Sequence, residues 1–342
     1  MRDDAEGYVY VQTNDANSNE VVVFGRDRGG TLQRLYSYLT GGKGSGTPHL
    51  QSQGSVVLAD GWLFVTNAGS DDVTVFAVDG ALLEVVGRAA SGGRAPRSVA
   101  VQDGHVYVLN CGGRPGIAVL SFDGKRLVPI GEARLLEAGS DPAQVAITHD
   151  GTTVLVTDRA VDAIHAFAVG DRAQLADVAV THRSSGATPY GFDVTADGVV
   201  VVTEAAGAQV GKASASSYRI ERAAELSLVS GAVENTRSEV CWAVIGNDGR
   251  TAFVTNFGDG TISTYSIGED GSLQLREAVA ATTIEGRPGI RDEGLSADGR
   301  YLYALHADTG RVFGWAVDDE GTLDAVGSAN GLPLTSAGLA AS

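Results

Sequence analysis

Short runs of apolar residues, each closed by a polar residue, recur along the whole chain. They are rich in β-branched and aromatic side chains, a composition that favours strands. Seven runs align on their closing residue: YVYVQTN (8–14), WLFVTN (62–67), HVYVLN (105–110), TVLVTD (153–158), VVVVTE (199–204), TAFVTN (251–256) and YLYALH (301–306). The closing residues lie 53, 43, 48, 46, 52 and 50 residues apart, which indicates one repeated structural unit.

A turn signal precedes every run but the first. It is an Asp-Gly pair, found at 60–61, 103–104, 150–151, 197–198, 248–249 and 298–299. Two further alternating runs follow each run, such as VTVFAVDG (73–80) and the weaker LQLREAVA (273–280). No segment keeps a 3.6-residue period over three turns, so the pattern predicts strands throughout.

Four strands in a unit of 43–53 residues are typical of a β-propeller blade. We label the strands a to d, from the central channel outwards. The chain begins on strand b, so the first unit lacks its strand a. We therefore predict an all-β, seven-bladed propeller of four-stranded antiparallel blades that fills residues 1–342 as a single domain. The tail PLTSAGLAAS (333–342) is expected to supply the missing strand and close the first blade.

Composition narrows the classes of partner. The chain has 43% hydrophobic residues, enough for a sizeable core, and 46 glycines against 8 prolines, which fits many tight turns. Its formal net charge is −17. Phosphate and anionic lipid are bound by clustered Lys and Arg, so nucleic acid and membrane are excluded as expected partners.

The N-terminus and the cysteines bear on the compartment. MRDDAEGYVYVQ is charged and lacks the apolar run of a signal peptide, although a leader removed beforehand would leave the same start. Cys111 and Cys241 are too few for a disulfide framework and fit a reducing compartment. We expect a soluble, cytoplasmic monomer.

With strand a innermost, the b–c and d–a connections emerge together around the mouth of the channel. The b–c side presents the closing residues Asn14, Asn67, Asn110, Asp158, Glu204, Asn256 and His306, together with Arg114 and Arg159. Beside the prolines of the d–a side stand His49, Arg97, Gln144, Tyr190, Trp242 and the run 291–293. Asn at a strand end usually caps the turn with its own amide, so the four asparagines are expected to be mainly structural.

Several positions depart from the repeat. Asp158, Glu204 and His306 replace Asn, either as solvated loop groups or as functional ones. Glu293 occupies the place at the start of strand a that other units fill with an apolar residue, so it either pairs with Arg291 or Arg287 or projects into the channel. Trp242 either lines the mouth or packs under a loop.

Motifs of the usual chemistries are absent from the sequence. There is no Gly-x-Ser-x-Gly elbow, no phosphate loop and no Cys-x-x-Cys, and Gly69-Ser-Asp-Asp-Val lacks the ligand pattern of a calcium loop. We therefore expect neither a cofactor nor a metal.

Several fragments resemble the bacterial lactonase-type propellers, a family similar to the 6-phosphogluconolactonase and carboxymuconate-cyclising propellers. They include SQGSVVLADGWLFVTNAGSDDVTVF (52–76), TPYGFDVTADGVVVVTEA (188–205) and EVCWAVIGNDGRTAFVTNFGDGTISTY (239–265). The resemblance implies chemistry by His, Arg and Glu at the mouth, on a lactone or an unsaturated carboxylate. The family's Pro-His pair corresponds to Pro48-His49 and its glutamate to Glu204, whereas Gln144 and Tyr190 stand where histidines are expected.

Two functions remain open at this stage. The first is a metal-independent enzyme, a lactonase-like hydrolase or a cyclase or isomerase, acting on an anionic or lactone metabolite. Arg97 and Arg291 would bind a carboxylate, and Glu204 or Glu293 would be the acid or base, assisted by Tyr190 or His49. Further substrate contacts are expected from Trp242, Gln144, Asp158, His306 and Asn256. The second is a non-catalytic propeller that binds a ligand or protein. The acidic surface without an apolar stripe favours the enzyme.

Overall fold

The computed structural model describes residues 5–48 and 50–342, and these form seven four-stranded antiparallel sheets. Blade 1 contains β1 (Gly7–Gln12), β2 (Glu20–Arg26), β3 (Leu32–Leu39) and the last strand of the chain, β28 (Ala337–Ala341). Blade 2 contains β4 (Val56–Ala59), β5 (Trp62–Asn67), β6 (Asp72–Asp79) and β7 (Leu82–Ala90). Blade 3 contains β8 (Arg94–Gln102), β9 (His105–Gly112), β10 (Gly116–Phe122) and β11 (Leu127–Leu135).

The other four blades continue in chain order. Blade 4 contains β12 (Pro142–Ile147), β13 (Thr153–Asp158), β14 (Ala163–Ala168) and β15 (Val180–Arg183). Blade 5 contains β16 (Pro189–Val194), β17 (Val199–Glu204), β18 (Ser214–Arg222) and β19 (Glu225–Glu234). Blade 6 contains β20 (Val240–Ile245), β21 (Thr251–Asn256), β22 (Thr261–Ile267) and β23 (Leu273–Thr282). Blade 7 contains β24 (Ile290–Leu295), β25 (Tyr301–His306), β26 (Arg311–Val317) and β27 (Leu323–Asn330).

Closure of the ring follows the sequence prediction. Strand β28 pairs antiparallel with β1, and Tyr10 lies opposite Ala340. The first strand of each blade contacts that of the next, all the way round to β28, so seven inner strands enclose the channel. The chain ends are thereby held in one sheet, and neither leaves an inner strand unpaired.

Burial explains why the repeat is so regular. Strand b has neighbouring blades on both sides, and every residue of β13, β17, β21 and β25 is buried. Strand d lies at the outer rim, and β3 is only half-buried or exposed along its length. A strand covered on both faces needs a continuous apolar run, whereas a rim strand tolerates alternation. The core consists of interblade clusters, such as Leu155 of blade 4 packed with Val200 of blade 5.

The predicted Asp-Gly turns join strands a and b. In blade 2, Asp60 and Gly61 both have positive φ (50° and 79°), and Asp103 and Gly104 in blade 3 repeat this (49° and 72°). Two consecutive left-handed residues form the type I′ turn that suits the twist of a tight hairpin. These turns lie on the face opposite the mouth, so they fix strand register without contributing to the site.

Candidate active site at the channel mouth

Six of the seven inner strands carry a β-bulge at their mouth end. The extra residues are Gly338, Arg97, Ala143, the pair Tyr190–Gly191, the pair Cys241–Trp242, and Asp292. A bulge bends the strand and re-aims a side chain, and such bulges are frequent beside active sites. Three of the residues that the sequence predicts at the mouth, Arg97, Tyr190 and Trp242, occupy bulge positions.

Side chains from four blades meet at this end of the channel. We call Arg159, Tyr190, Cys241, Trp242 and Arg291 the mouth cluster. The rings of Tyr190 and Trp242 are T-shaped, with centroids 5.0 Å apart. The guanidinium of Arg159 lies 4.6 Å from the centre of the Tyr190 ring, and its Nη1 donates a hydrogen bond to the tyrosine hydroxyl oxygen. Cys241 packs in the same apolar cluster as Tyr190 and Trp242.

Arg291 closes the cluster from blade 7. Its guanidinium lies 5.0 Å from the centre of the Phe257 ring, and Phe257 packs against the cluster. Nη1 donates to the carbonyl oxygen of Pro48, and Nη2 lies 3.5 Å from Oδ1 of Asp308. Burial lowers the pKa of Arg291, and the charge of Asp308 is the main effect that opposes it. Arg291 and Tyr190 are within electrostatic range of each other.

Tyr190 is kept neutral. Burial raises the pKa of its hydroxyl far above the usual value of 10, and the charge of Arg159 counteracts this only in part. Because Arg159 donates to the hydroxyl oxygen, the hydroxyl proton remains available for another acceptor. Burial likewise raises the pKa of Cys241 to about 12, so its thiol is not a ready nucleophile.

Buried nitrogen donors around the mouth lack acceptors. Within the described residues, Nε of Arg97, Nε1 of Trp242 and Nε of Arg291 have no hydrogen-bond partner. Arg97 is near the cluster, because it and Arg159 both lower the pKa of the same thiol, Cys111. Leaving a buried donor unpaired costs about 1–3 kcal/mol, so a ligand rich in acceptor oxygens would gain by supplying partners.

Two neighbouring carboxyl groups on β24 have raised pKa values. Burial raises the pKa of Asp292 to about 7, against the opposing effects of the Gly338 N–H, 2.8 Å away, and of Arg291. Burial, followed by the charges of Asp193 and Asp292, raises the pKa of Glu293 well above its usual range. Glu293 is 5% exposed, and neither of its oxygens has a hydrogen bond of normal geometry. The ion pair with Arg291 or Arg287, one of the two alternatives expected for Glu293, is therefore not formed.

Glu204, expected to act as acid or base, is enclosed instead. It is 0% exposed. The hydroxyls of Ser184, Ser214 and Ser216 and the Gly186 N–H donate to its two oxygens at 2.7–3.0 Å. All these partners belong to blade 5 or the loop that leads into it, and none is in the mouth cluster. Four donors leave no room for a substrate, so the placement of Glu204 does not fit the catalytic role.

Three other residues that were expected to contact the substrate form hydrogen bonds within the protein instead. Gln144 bridges two blades by accepting from the Phe192 N–H and donating to its carbonyl. Asn256 donates to two hydroxyls and accepts from Asn235, as a turn cap should. Asp158 accepts from two backbone amides and lies 3.3 Å from His165 Nε2. Buried amides and carboxylates satisfied in this way are not available to a ligand.

His306 and His49 complete the expected set. His306 is buried, its Nδ1 lies 3.2 Å from the Thr309 hydroxyl, and Nε2 has no hydrogen bond of normal geometry among the described residues. Burial lowers the pKa of His306, so it is neutral. His49 lies outside the described residues, and its expected role remains a prediction.

The sequence alone did not indicate the site roles of two residues, Arg159 and Asp292. Arg159 was placed on the b–c side, but its contact with Tyr190 links two blades and could not be read from one repeat. Asp292 belongs to the run 291–293, in which Glu293 was preferred, since it fills the apolar place. The signal for Asp292 is its bulge, which only the strand pairing reveals.

Neither a metal-binding cluster nor a membrane-spanning helix is found among the described residues. They contain no group of three His, Cys, Asp or Glu side chains that could hold a metal ion. No helix in this part of the chain is long and apolar enough to cross a membrane. A cavity of about 610 Å³ lies between blades 5 and 6 on the face opposite the mouth, lined by residues that include His149, Asp193 and Arg250.

Comparison with known proteins gives one family and many similar folds. The family described as "Lactonase, 7-bladed beta-propeller" matches residues 3–123, 117–210 and 203–333. No curated protein matches the sequence. The Pseudomonas aeruginosa periplasmic gluconolactonase PpgL is similar over 98% of both chains, with 16% identity and a TM-score of 0.75. A Bacteroides fragilis protein provisionally assigned as a 6-phosphogluconolactonase is similar over 100% of this chain and 99% of its own, with 16% identity and a TM-score of 0.76.

Proposed function

Because the chain belongs to the Lactonase family of seven-bladed β-propellers, we propose that it is an enzyme that hydrolyses a lactone carrying an anionic group, at the mouth cluster. The observation that carries the proposal is the set of buried donors without acceptors, on Arg97, Trp242 and Arg291, at the same end of the channel as the neutral hydroxyl of Tyr190. A lactone of a sugar acid or a carboxylic acid is rich in the acceptor oxygens that these donors lack. The activities named for PpgL and for the B. fragilis protein are both lactone hydrolyses, and the lactone named for the B. fragilis protein carries a phosphate group.

Binding would rest on the arginines. A guanidinium forms paired, charge-assisted hydrogen bonds with a carboxylate or phosphate, each worth about 1.5–3 kcal/mol. Arg291 has a free Nε, and its bond to the Pro48 carbonyl is one that a carboxylate oxygen could replace. Arg97 would act from the opposite side of the cluster. Trp242 is buried in a T-shaped contact with Tyr190, and its contribution would be the Nε1–H donor.

Tyr190 would polarise the lactone carbonyl. Its proton is free to donate because the oxygen already accepts from Arg159. As negative charge develops on the carbonyl oxygen, a fixed donor in a site shielded from water stabilises it more than water would. In this scheme Arg159 is a positioning residue, because it orients the hydroxyl and does not itself reach the lactone.

Asp292 would be the general base. A carboxyl with a pKa of about 7 is half ionised at neutral pH, and a base is most effective when its pKa is close to the working pH. It would take a proton from water as the water oxygen bonds to the lactone carbonyl carbon. The bond from that carbon to the ring oxygen then breaks, and the ring oxygen takes up the proton to give a hydroxy acid. His49 remains an alternative base.

The same groups could close a hydroxy acid into a lactone, or cyclise an unsaturated carboxylate, since both reactions pass through a similar polarised carboxyl. We propose that no metal takes part in either direction. A propeller that only binds an anionic ligand would use Arg97 and Arg291 but would have no need of Asp292.

A panel assay tests this function. Acid release is followed in a pH-stat at pH 7 with neutral, carboxylated and phosphorylated sugar lactones, with and without EDTA. We expect turnover of an anionic lactone, resistant to EDTA, and Arg291→Ala should raise KM about 10-fold or more, while Arg300→Ala, which changes an exposed arginine, should have no effect. Tight binding of the product acid with no turnover of any lactone would instead support the binding protein.

A further inference from the structure

The d–a connection between blades 1 and 2 passes over the mouth. We call residues 50–54 the cover segment. None of these residues belongs to a strand, and the Gly54 carbonyl, which accepts from the Val99 N–H, is its one backbone hydrogen bond to another described residue. Yet Leu50 and Ser52 are buried, with exposed fractions of 4% and 0%. The segment is therefore seated on the ring without being part of any sheet.

Side chains hold the cover segment on the inner strands of two distant blades. The Ser52 hydroxyl donates to the Ala143 carbonyl of blade 4 at 2.5 Å. The Gln53 amide forms a pair with the backbone of Ala243 in blade 6, donating to the carbonyl at 2.8 Å and accepting from the N–H at 3.2 Å. Gly191 of blade 5 makes room for the Gln53 side chain, because a Cβ at position 191 would lie 2.4 Å from the side-chain oxygen of Gln53.

The cover segment also occupies the mouth cluster. Oε1 of Gln51 accepts a hydrogen bond from Nη2 of Arg159 at 3.3 Å, and this arginine is the one that orients Tyr190. Just before the segment, the Pro48 carbonyl accepts from Arg291. Neutral carbonyl oxygens thus contact the two guanidinium groups of the cluster. Carboxylates contact them as well, since Nη2 of Arg159 donates to Oδ1 of Asp141 at 2.7 Å and Nη2 of Arg291 lies 3.5 Å from Oδ1 of Asp308. A charged oxygen makes a stronger bond to a guanidinium than a neutral one does, so the anionic group of a ligand can displace the Pro48 carbonyl from Arg291.

We propose that the cover segment is a gate that closes over the mouth cluster and opens locally before an anionic ligand enters. A few hydrogen bonds and the packing of Leu50 against Ala68 and Ala337 hold it, and none of these contacts belongs to a sheet ladder, so it can open while the ring stays folded. The apparent affinity of the site is then reduced by the fraction of molecules that are open. The regulatory consequence rests on the proposed function, but the opening itself does not require it.

Opening can be measured without any substrate. Cys241 is buried two residues before Ala243, on the strand that Gln53 holds. In a Cys111→Ser background, Cys241 is the single thiol of the chain, and its rate of labelling by a small maleimide at pH 8 reports opening. Gln53→Ala removes two hydrogen bonds, so labelling should be roughly 10-fold to 100-fold faster. Gln51→Ala should give a smaller increase, and it also serves if Gln53→Ala does not fold.

Gln102→Ala is the matched control. It removes an amide-to-carbonyl bond of similar length between blades 3 and 4, from Gln102 to the His149 carbonyl at 3.0 Å, far from the cover segment. Its labelling rate should equal that of the parent. Equal rates in the parent, Gln51→Ala and Gln53→Ala would overturn the gate, whatever the activity of the protein.

Kinetic measurements provide a second test of the gate, with a lactone that the protein turns over in the panel assay. A gate predicts that Gln53→Ala lowers KM, by up to about 10-fold, and leaves kcat unchanged, because more molecules are open. A raised KM would mean that Gln53 binds the substrate, and it would overturn the gate as well. Faster labelling without turnover of any lactone would support the gate and contradict the proposed function.

Discussion

The hydroxyl oxygen of Tyr190, on the inner strand of blade 5, accepts its hydrogen bond from Arg159, which follows the second strand of blade 4. The bond removes the oxygen as an acceptor and leaves the hydroxyl as a donor. Burial raises the pKa of the hydroxyl, so the donor persists over the whole physiological pH range. The roles proposed for the other mouth residues depend on this orientation.

Removing the hydroxyl should therefore impair chemistry more than binding. Tyr190→Phe keeps the ring contact with Trp242 and deletes the proposed carbonyl donor. Loss of one such donor typically lowers kcat by about 10²–10³-fold. Tyr107→Phe, which changes a buried core tyrosine in blade 3, is the control and should retain full kcat. An unchanged kcat in Tyr190→Phe would exclude the hydroxyl from the reaction.

Asp292 should determine the acid limb of the pH profile. In the unmodified protein, kcat/KM should fall as the pH drops below about 7, because the base becomes protonated. Asp292→Asn should lower kcat by about 10²–10⁴-fold and abolish this limb. If Asp292→Asn stays active with the same limb, another group is the base, and His49→Gln is then the variant to measure.

Three buried carboxyl groups should make the protein less stable as the pH rises. Asp193, Asp292 and Glu293 have raised pKa values, so between pH 4 and their folded pKa the folded state binds more protons than the unfolded chain. Their stabilisation is complete at the acid end of that range and is lost as the pH rises through the folded pKa. We expect Tm to fall between pH 5.5 and 8.5.

Glu293→Gln should flatten that slope. The variant keeps the shape of the side chain and carries no charge to desolvate, so at pH 8.5 it should be more stable than the parent by about 1–3 kcal/mol. Glu277→Gln, at an exposed position on strand β23, is the control and should follow the parent. A Tm for Glu293→Gln below that of the parent at pH 8.5 would show that the ionised carboxylate has a partner.

Glu204→Gln should affect folding and not catalysis. The two oxygens accept four hydrogen bonds, and an amide places an N–H₂ donor against serine hydroxyls and a backbone N–H. The variant should lose about 1–3 kcal/mol of unfolding free energy, measured by urea denaturation, with kcat unchanged. If turnover instead drops by about two orders of magnitude while stability stays the same, the catalytic role that the sequence predicted is restored.

Deleting the last strand should open the ring. Residues 336–342 include β28, whose loss would leave β1 with a free edge and remove Leu339 from an interblade cluster. The truncated chain should melt much earlier or elute as aggregates. Leu334→Ala, an exposed position just before the strand, is the control and should behave as the parent. A monomeric truncation with an unchanged Tm would contradict closure by β28.

The fold could be predicted closely from the sequence because every blade repeats the same pattern of apolar and polar positions. Runs such as 62–67, 153–158 and 251–256 coincide with β5, β13 and β21 to the residue. Each is buried by neighbouring blades in the same way, so local pattern and tertiary environment agree in every unit. The closing strand could be predicted as well, since one unit lacked its strand a and the tail had no other sheet to join.

The site was predicted less well, because it depends on where individual side chains point. The closing residue of strand b was expected at the mouth, yet Glu204 and Asn256 turn into the blade. There Glu204 accepts hydrogen bonds from Ser hydroxyls, and the Asn256 amide donates to Thr and Ser hydroxyls. By contrast, Tyr190 and Trp242 are brought to the mouth by bulges, which alter the pairing by one residue and leave no mark in the alternation of the sequence. Contacts between blades, such as Arg159 with Tyr190, require the ring to be assembled.

The bulges also allow the mouth to vary independently of the ring. The residues on either side of each bulge stay paired with strand b, as Pro189 does with Glu204 and Phe192 with Val202, while the inserted residues lie outside the ladder. Exchanging an inserted side chain therefore alters what the channel presents to a ligand at little cost to the hydrogen bonds of the blade. The positions 97, 143, 190, 242 and 292 form a natural set for diversification, in which new substrate preferences could be selected on an unaltered scaffold.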